Sequence, residues 1–472
     1  MIFFLSTYLS AQITTSASLD SIQNEFSKQA EAIMQEYNQY AQKVKEEYEK
    51  YEAQARADYM NYVKRVQTVW GSDSMIDNTK HTWVEYGPNM TDRSVVNFET
   101  GEIEIEVVVD EGSTEAETNK ALEKAVTRLL ESRGSTCPYP SSVDESKPIT
   151  KEPILNDLVD LTSYDLSQAD SMDVAVHVSE SRKSPAMPSS TVKDLNLNFE
   201  QTKRTTQQKA THKAISEKNS QTIHKHQTLA QKKIEEKKKA ETLRKQRKME
   251  EVKRRLAQII VKQTSKETLP LVASKQSSNT LKKKIVKLSM RLVAENLSKN
   301  AALYKDIVTF NSKRFNIEEP LIYAVMEQES SFNPQAASWV PAYGLMQLVP
   351  RSGGFEAYKY VYHTEWIPTR SYLFVPQNNI ELGTAYLRVL MNQFASVEDP
   401  ECRRLCVIAS YNTGAGNVSR SFTGNRRLGQ RTLSLINQYD YKGLFNYLTT
   451  NLNTSEARNY VRGVSRRRAK YL

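Results

Sequence analysis

Between residues 19 and 70 the chain repeats itself every eleven residues. Phe26, Tyr37, Tyr48, Tyr59 and Trp70 form one series, Tyr40, Tyr51 and Tyr62 a second, and Ile22, Ile33, Val44, Ala55 and Val66 a third. Eleven residues are close to three helical turns, so each series stays on one stripe of a straight or slightly right-handed helix. The spacing predicts one continuous helix over 19–70 whose tyrosine stripe is packed. The cover could be a partner helix, self-association with a second copy, or a following domain. Aromatic stripes at helical spacing pack more often than they bind ligands, and we read this one as structural.

After Trp70 the period changes to two. "VVNFETGEIEIEVVVD" reads as two extended runs about a Thr100–Gly101 turn, with Ile103, Ile105 and Val107 alternating against acids. "STEAETNKALEKAVTRLLES" reads as an amphipathic helix that starts at Ser113 or Thr114 with a glutamate just inside. Together they predict a small α+β unit over 71–165. From 166 to about 225 the residues are mostly Ser, Asp, Lys, Thr and Gln, too polar to offset chain entropy by burial, so a disordered linker is expected. The linker continues to 280 through a basic stretch of helical composition without an apolar face. Residues 281–472 are rich in helical patterns, which makes the expected fold class mainly α.

The net charge of +10 is concentrated in two places. Residues 231–255 hold 12 Lys/Arg against 5 Glu, and the tail 458–472 holds 6 basic residues and no acid. Such segments point to anionic envelope surfaces, with a solvated charged helix as the plainer account. No aromatic-interleaved basic patch accompanies them, so nucleic acid is not an expected partner. Cys137, Cys402 and Cys406 read as small buried thiols, and the histidines lie mostly in the polar middle, so neither a metal nor another cofactor is expected. The opening "MIFFLSTYLSAQ" resembles a secretory signal over residues 1–18, with an apolar run to Leu9 and small residues at Ser10–Ala11, but without a charged start. Export is the expectation. No later stretch reaches the roughly 18 apolar residues of a membrane span.

The chemistry concentrates near the C-terminus. In "PLIYAVMEQESSFNP", Pro320 suits a first helical turn, and Ile322, Val325, Met326 and Glu329 share one face. Glu329 therefore falls on a buried stripe and at the negative end of the helix dipole. Both raise a carboxyl pKa and keep a proton available for general-acid work. On this segment alone, a salt-bridged structural glutamate explains the pattern as well. Four further pieces follow in order: "AYGLMQLVP", "PQNNIELGTAYLRVL", "ASYNTGAGNV" and "EARNYVRGV".

Taken together, E-S, G-L-M-Q, N-I-x-x-G-x-x-Y-L, Y-N-x-G and N-Y-V resemble the goose-lysozyme-like catalytic domain of the lytic transglycosylases. "TRSYLFVPQNNIELGTAYL", "VVNFETGEIEIEVV" and "KEPILNDLVD" extend the resemblance to the murein transglycosylase C branch, over about 70–165 and 285–472. Pro341 departs from the glycine that many relatives carry, and no cysteine precedes Cys137, so the lipobox of lipid-anchored relatives is not seen. The resemblance implies a periplasmic enzyme of a Gram-negative envelope, associated with the outer membrane or wall. It would cleave the β-1,4 bond between N-acetylmuramic acid and N-acetylglucosamine in peptidoglycan. One glutamate protonates the leaving oxygen and then serves as base while the muramyl C6 hydroxyl closes a 1,6-anhydro ring. The resemblance makes Glu329 that group, with Tyr411 beside it, and places Ser338, Met346, Gln347, Asn412 and Tyr460 around the sugar. Two alternatives remain open: a hydrolytic muramidase on the same fold, with Glu381 as the first candidate for a water-activating carboxylate, and a non-catalytic wall-binding scaffold.

Overall fold

The computed structural model describes residues 19–71, 74–156, 158–159, 179–180, 283–293, 295–338 and 341–472, with scattered positions between 243 and 258. The expectations for the signal segment, most of the linker and most of the basic run lie outside the described residues; Ser179–Glu180, inside the expected disordered linker, are described and form a strand. The described positions between 243 and 258 are helical, and Lys253 reaches Glu131 at 2.5 Å.

Helix α1 spans Leu19–Trp70. Its stripe is covered toward the C-terminal end, where Tyr48, Tyr62, Val66 and Trp70 are buried, but Phe26, Tyr37 and Tyr40 are exposed. The expectation of a packed stripe is therefore met only over the second half. Tyr37 and Tyr40 still reach the helical unit through their hydroxyls, which donate to Glu365 at 2.5 and 3.2 Å. At the covered end Tyr62 stacks on Tyr139 at 5.5 Å, and the Trp70 indole donates to the Met90 carbonyl at 2.6 Å.

The next unit is a sheet with one helix on it. Strands β1 (Thr82–Tyr86), β2 (Asp92–Asn97) and β3 (Glu102–Asp110) form an antiparallel meander, and Gly101, at φ +76°, turns between the last two. Ile103, Ile105 and Val107 point into the core, as their alternation predicts. Helix α2 (Glu115–Glu131) buries Leu122, Val126 and Leu129 against them and opens with a reciprocal capping box between Thr114 and Glu117. Two strands come from beyond the expected boundary at 165. Strand β4 is Ser179–Glu180, and β5 (Lys283–Arg291) pairs with β3 over nine residues, giving the order β1-β2-β3-β5-β4. A helical unit starting at 281 is thus corrected: residues 283–291 complete the sheet. In "KKIVKLSMR", Val286, Leu288 and Met290 turn inward, while Lys287 faces out and meets Glu104 at 2.5 Å.

The helical unit follows. It comprises α3 (Asn296–Leu303), α4 (Lys305–Phe315), α5 (Glu319–Ser330), a single π-helical turn at Pro350–Gly354, α6 (Phe355–Tyr362), α7 (Arg370–Phe374), α8 (Pro376–Gln393), α9 (Pro400–Thr413), α10 (Ala415–Thr423), α11 (Gln430–Ile436), α12 (Tyr441–Asn451) and α13 (Ser455–Arg468). Its core gathers Leu321, Val325, Leu345, Leu382, Val407, Leu448 and Val461. Cys402 and Cys406 are free and buried there, and Cys137 is free and buried near α1. Among the described residues, no helix is long and apolar enough to cross a membrane.

The two units and α1 meet at Asp144. This nearly buried carboxylate accepts from Tyr51 of α1 at 2.8 Å and from Arg370 of α7 at 3.2 Å. Nearby, Gln335 Oε1 accepts from the Ser135 amide at 3.2 Å, while its Nε2 donates to the Ser135 carbonyl at 2.5 Å. Next to Tyr51 on α1, Glu52 pairs with Arg351 at 2.8 Å.

Much of the basic tail is spent internally. Arg458 and Arg462 donate to the Leu452 and Thr449 carbonyls, Arg468 pairs with Glu318, and Arg467 and Lys470 pair with Glu327. These five charges hold helix ends together, which the residue count in the tail could not show.

Candidate active site

Helix α5 runs from Glu319 to Ser330 and carries Pro320 in its first turn, as the sequence predicts. Glu329 is 4% exposed, and burial is the main cause that pushes its carboxyl above the ordinary glutamate range. Lys80, reaching in from the loop before β1, is the strongest opposing influence, with Nζ 3.4 Å from Oε2. The buried Tyr460 hydroxyl makes no well-formed hydrogen bond but faces the same carboxyl closely enough to favour its ionised form. Glu456, on α13, repels the charge and raises the pKa further. Glu327, two residues back, turns the other way into Lys470 and Tyr471, at 2.6 and 2.7 Å. One glutamate therefore ties down the C-terminus, and the other stands in the site.

The chain leaves α5 under strain. Ser331 and Phe332 both take left-handed backbone, at φ 50° and 65°, and Gln347 does so at 46°. Non-glycine residues in that region each cost on the order of 1–3 kcal/mol and cluster where surrounding structure forces a functional geometry. The sequence motifs supply that structure. Ser330, of the E-S pair, donates to the Met326 carbonyl at 2.9 Å or the Leu345 carbonyl at 2.8 Å, joining α5 to the G-L-M-Q loop. Asn379, of N-I-x-x-G, accepts from the Met346 amide at 2.7 Å and donates to the Tyr343 and Leu373 carbonyls, both at 2.8 Å. Gly383 lies under the Met346 side chain where a Cβ would collide with the sulfur, and Gly344, at φ +76°, lies equally close to Asn379. The glycines of two motifs are thus the space that lets one loop press on one helix.

Of the residues expected around the sugar, Tyr411 donates its hydroxyl to the Met346 carbonyl at 2.9 Å. Burial and the neighbouring Glu329 charge raise its pKa well above the usual phenol range. Met346 itself is fully buried, so its side chain is packing and its carbonyl is the part that meets Tyr411. The Gln347 amide nitrogen donates to the Ala336 and Gly344 carbonyls, at 3.0 and 3.1 Å, leaving its buried Oε1 without a partner. Asn412 donates to Glu456 at 3.4 Å, and Glu456 lies 4.0 Å from Lys80. The Ser338 amide donates to the Ala342 carbonyl at 3.2 Å. Glu381 is held elsewhere, by Arg314 and by the Tyr362 hydroxyl at 2.8 Å. The carboxylate that shares a partner with Glu329 is Glu456, which replaces Glu381 as the second acid to consider. Sequence reasoning missed Glu456 because it stands two residues into a helix, where an acid is ordinary. It missed Lys80 because no motif surrounds it.

Comparison with known proteins finds matches in both units. The transglycosylase SLT domain matches residues 306–434, and the N-terminal domain of membrane-bound lytic murein transglycosylase C matches residues 52–160. The membrane-bound lytic murein transglycosylase C of Pectobacterium atrosepticum is 41% identical over 186 residues, covering 39% of this chain and 51% of that protein. Its counterpart in Haemophilus ducreyi is 38% identical over 186 residues, covering 39% and 50%. The chain thus spans about half the length of the curated relatives it matches. Among solved structures, the 70 kDa soluble lytic transglycosylase Slt70 of Escherichia coli is 27% identical with a TM-score of 0.28, covering 36% of this chain and 24% of that one. The helical unit is thus similar to a transglycosylase SLT domain, and the sheet unit to the N-terminal domain of membrane-bound lytic murein transglycosylase C.

Proposed function

We propose that the protein is a peptidoglycan lytic transglycosylase with Glu329 as its acid and base. The observation that carries this reading is the burial of the Glu329 carboxyl next to Tyr460, on a helix end that Ser330 ties to the G-L-M-Q loop. The Glu329 proton passes to the glycosidic oxygen as the bond between muramyl C1 and that oxygen breaks. The carboxylate then takes the proton of the muramyl C6 hydroxyl as its oxygen closes on C1. The glutamate ends as it began, and no water is consumed. Two-carboxylate glycosidases use the second carboxylate as a base for water or as a nucleophile, and substrate-assisted reactions are exceptions to that scheme. Tyr411 supports the loop beside the acid, while Ser338, Gln347, Asn412 and Tyr460 shape the sugar site.

The hydrolytic reading rests on Glu456, the acid linked to Glu329 through Lys80. Its side chain is 72% exposed, in contrast to the buried Glu329. The wider setting we infer is the periplasmic face of a Gram-negative envelope, in line with relatives named as membrane-bound. There the basic run before β5 would add charge attraction to the wall, and the exposed Phe26 and Ile33 of the stripe would allow self-association.

Turnover of purified sacculi by the Glu329→Gln variant tests the assignment. Gln keeps the shape and cannot donate the proton. Loss of acid–base catalysis costs about 10²–10⁴-fold, and a group serving both steps belongs at the upper part of that range or beyond. Near-normal turnover would move catalysis off Glu329.

A further inference from the structure

Residues 79–81, between α1 and β1, are fastened to the strained turn that follows α5. The Thr79 carbonyl accepts from the Ala337 amide at 3.3 Å, and His81 Nδ1 meets Ser331 Oγ at 2.9 Å. The Lys80 carbonyl lies 3.5 Å from Asn333 Nδ2. Three consecutive residues of one unit thus grip the other at Ser331, Asn333 and Ala337, just past its acid, and the middle one sends its ammonium to that acid. We propose that Lys80 is a positioning residue for the Glu329 carboxylate, so that the sheet unit completes a site whose motifs all lie in the helical unit.

This rests on the transglycosylase reading and gives Lys80 a task within it. A single carboxyl must hold a proton before the first step and be a stable carboxylate in the second. Burial serves only the first. A cation 3.4 Å from Oε2 favours the ionised state that the second step requires and fixes which oxygen stays free to receive the C6 proton. The other groups facing the carboxyl are Tyr411 from α9 and Glu456 and Tyr460 from α13, with Arg467 behind Tyr460 and His81 beside Lys80. Of these, Lys80 is the cation in contact.

The test compares the full chain with its Lys80→Gln and Lys80→Arg variants, each checked for folding by its melting curve. Two readouts are taken: the pH–rate profile on sacculi, and a carbon-13 titration of the Glu329 carboxyl identified by difference with Glu329→Gln. In Lys80→Gln the alkaline limb and the carboxyl titration should both move to higher pH by about one unit, the lower end of the range for a close opposite charge because Lys80 is partly exposed. kcat should fall with little change in KM, and Lys80→Arg should restore most of both. The titration needs no substrate. An unmoved carboxyl signal in a folded Lys80→Gln overturns the proposal whether or not sacculi are cleaved. A moved signal in a protein that leaves sacculi intact supports the Lys80 contact and overturns only the functional reading.

Discussion

The helical unit and the sheet unit reach the same site by different means. The helical unit brings short motifs whose members meet one another: Ser330 on Leu345, Asn379 on Met346, Tyr411 on Met346. The sheet unit brings no motif, only a loop that the β1–β2–β3 meander and α1 hold against the turn after α5. A site made of local motifs announces itself in the sequence. A residue delivered by docking shows only when the docking is seen.

Breaking the docking should have the largest effect on stability. Arg370→Met leaves the nearly buried Asp144 without its cation, and removing one partner of a buried pair costs about 3–5 kcal/mol. Thermal melting should show a drop of many degrees, and a shift within a degree or two would mean that the units are not held together there. Within the helical unit, Asn379→Ala strips partners from one amide and two carbonyls of the loop, at about 1–3 kcal/mol for a buried polar group left unpaired. Activity should fall further than stability, since the loop beside Glu329 loosens; equal losses would mark Asn379 as packing alone. Tyr411→Phe is milder. It removes one neutral hydrogen bond worth about 1 kcal/mol, so kcat should drop several-fold rather than by the factor expected for Glu329→Gln.

The smallest effect is a matter of sign. The folded-state pKa of Glu329 is raised, so its contribution to stability is fully present below the unfolded value near 4.5 and is lost as pH rises through the folded value. Glu329→Gln lacks that loss. Its melting temperature relative to the parent should therefore be higher at neutral pH than at pH 4, and paired scans at the two pH values would reveal the opposite trend if the acid is stabilised as a carboxylate.

Legibility followed the same division. The capping box at Thr114, the alternation in β3, the helix start at Pro320 and the burial of Glu329 could all be read from residues a few positions apart. β5 also carried a period of two in Val286, Leu288 and Met290. But its partner β3 lies about 180 residues earlier, and interleaved lysines disguised it as the start of a helical unit. The eleven-residue repeat fixed the stripe on α1 but not how far other units would cover it. Likewise the charge of the tail said nothing of the carbonyls and glutamates that take up most of it.

The most direct test of the whole account is the chemistry of the product. Purified sacculi digested by the full chain should release muropeptides that mass spectrometry finds ending in 1,6-anhydromuramic acid, one water lighter than the reducing form. Digests containing reducing muramic acid and no anhydro species would contradict it and turn attention to Glu456 as the base that activates water.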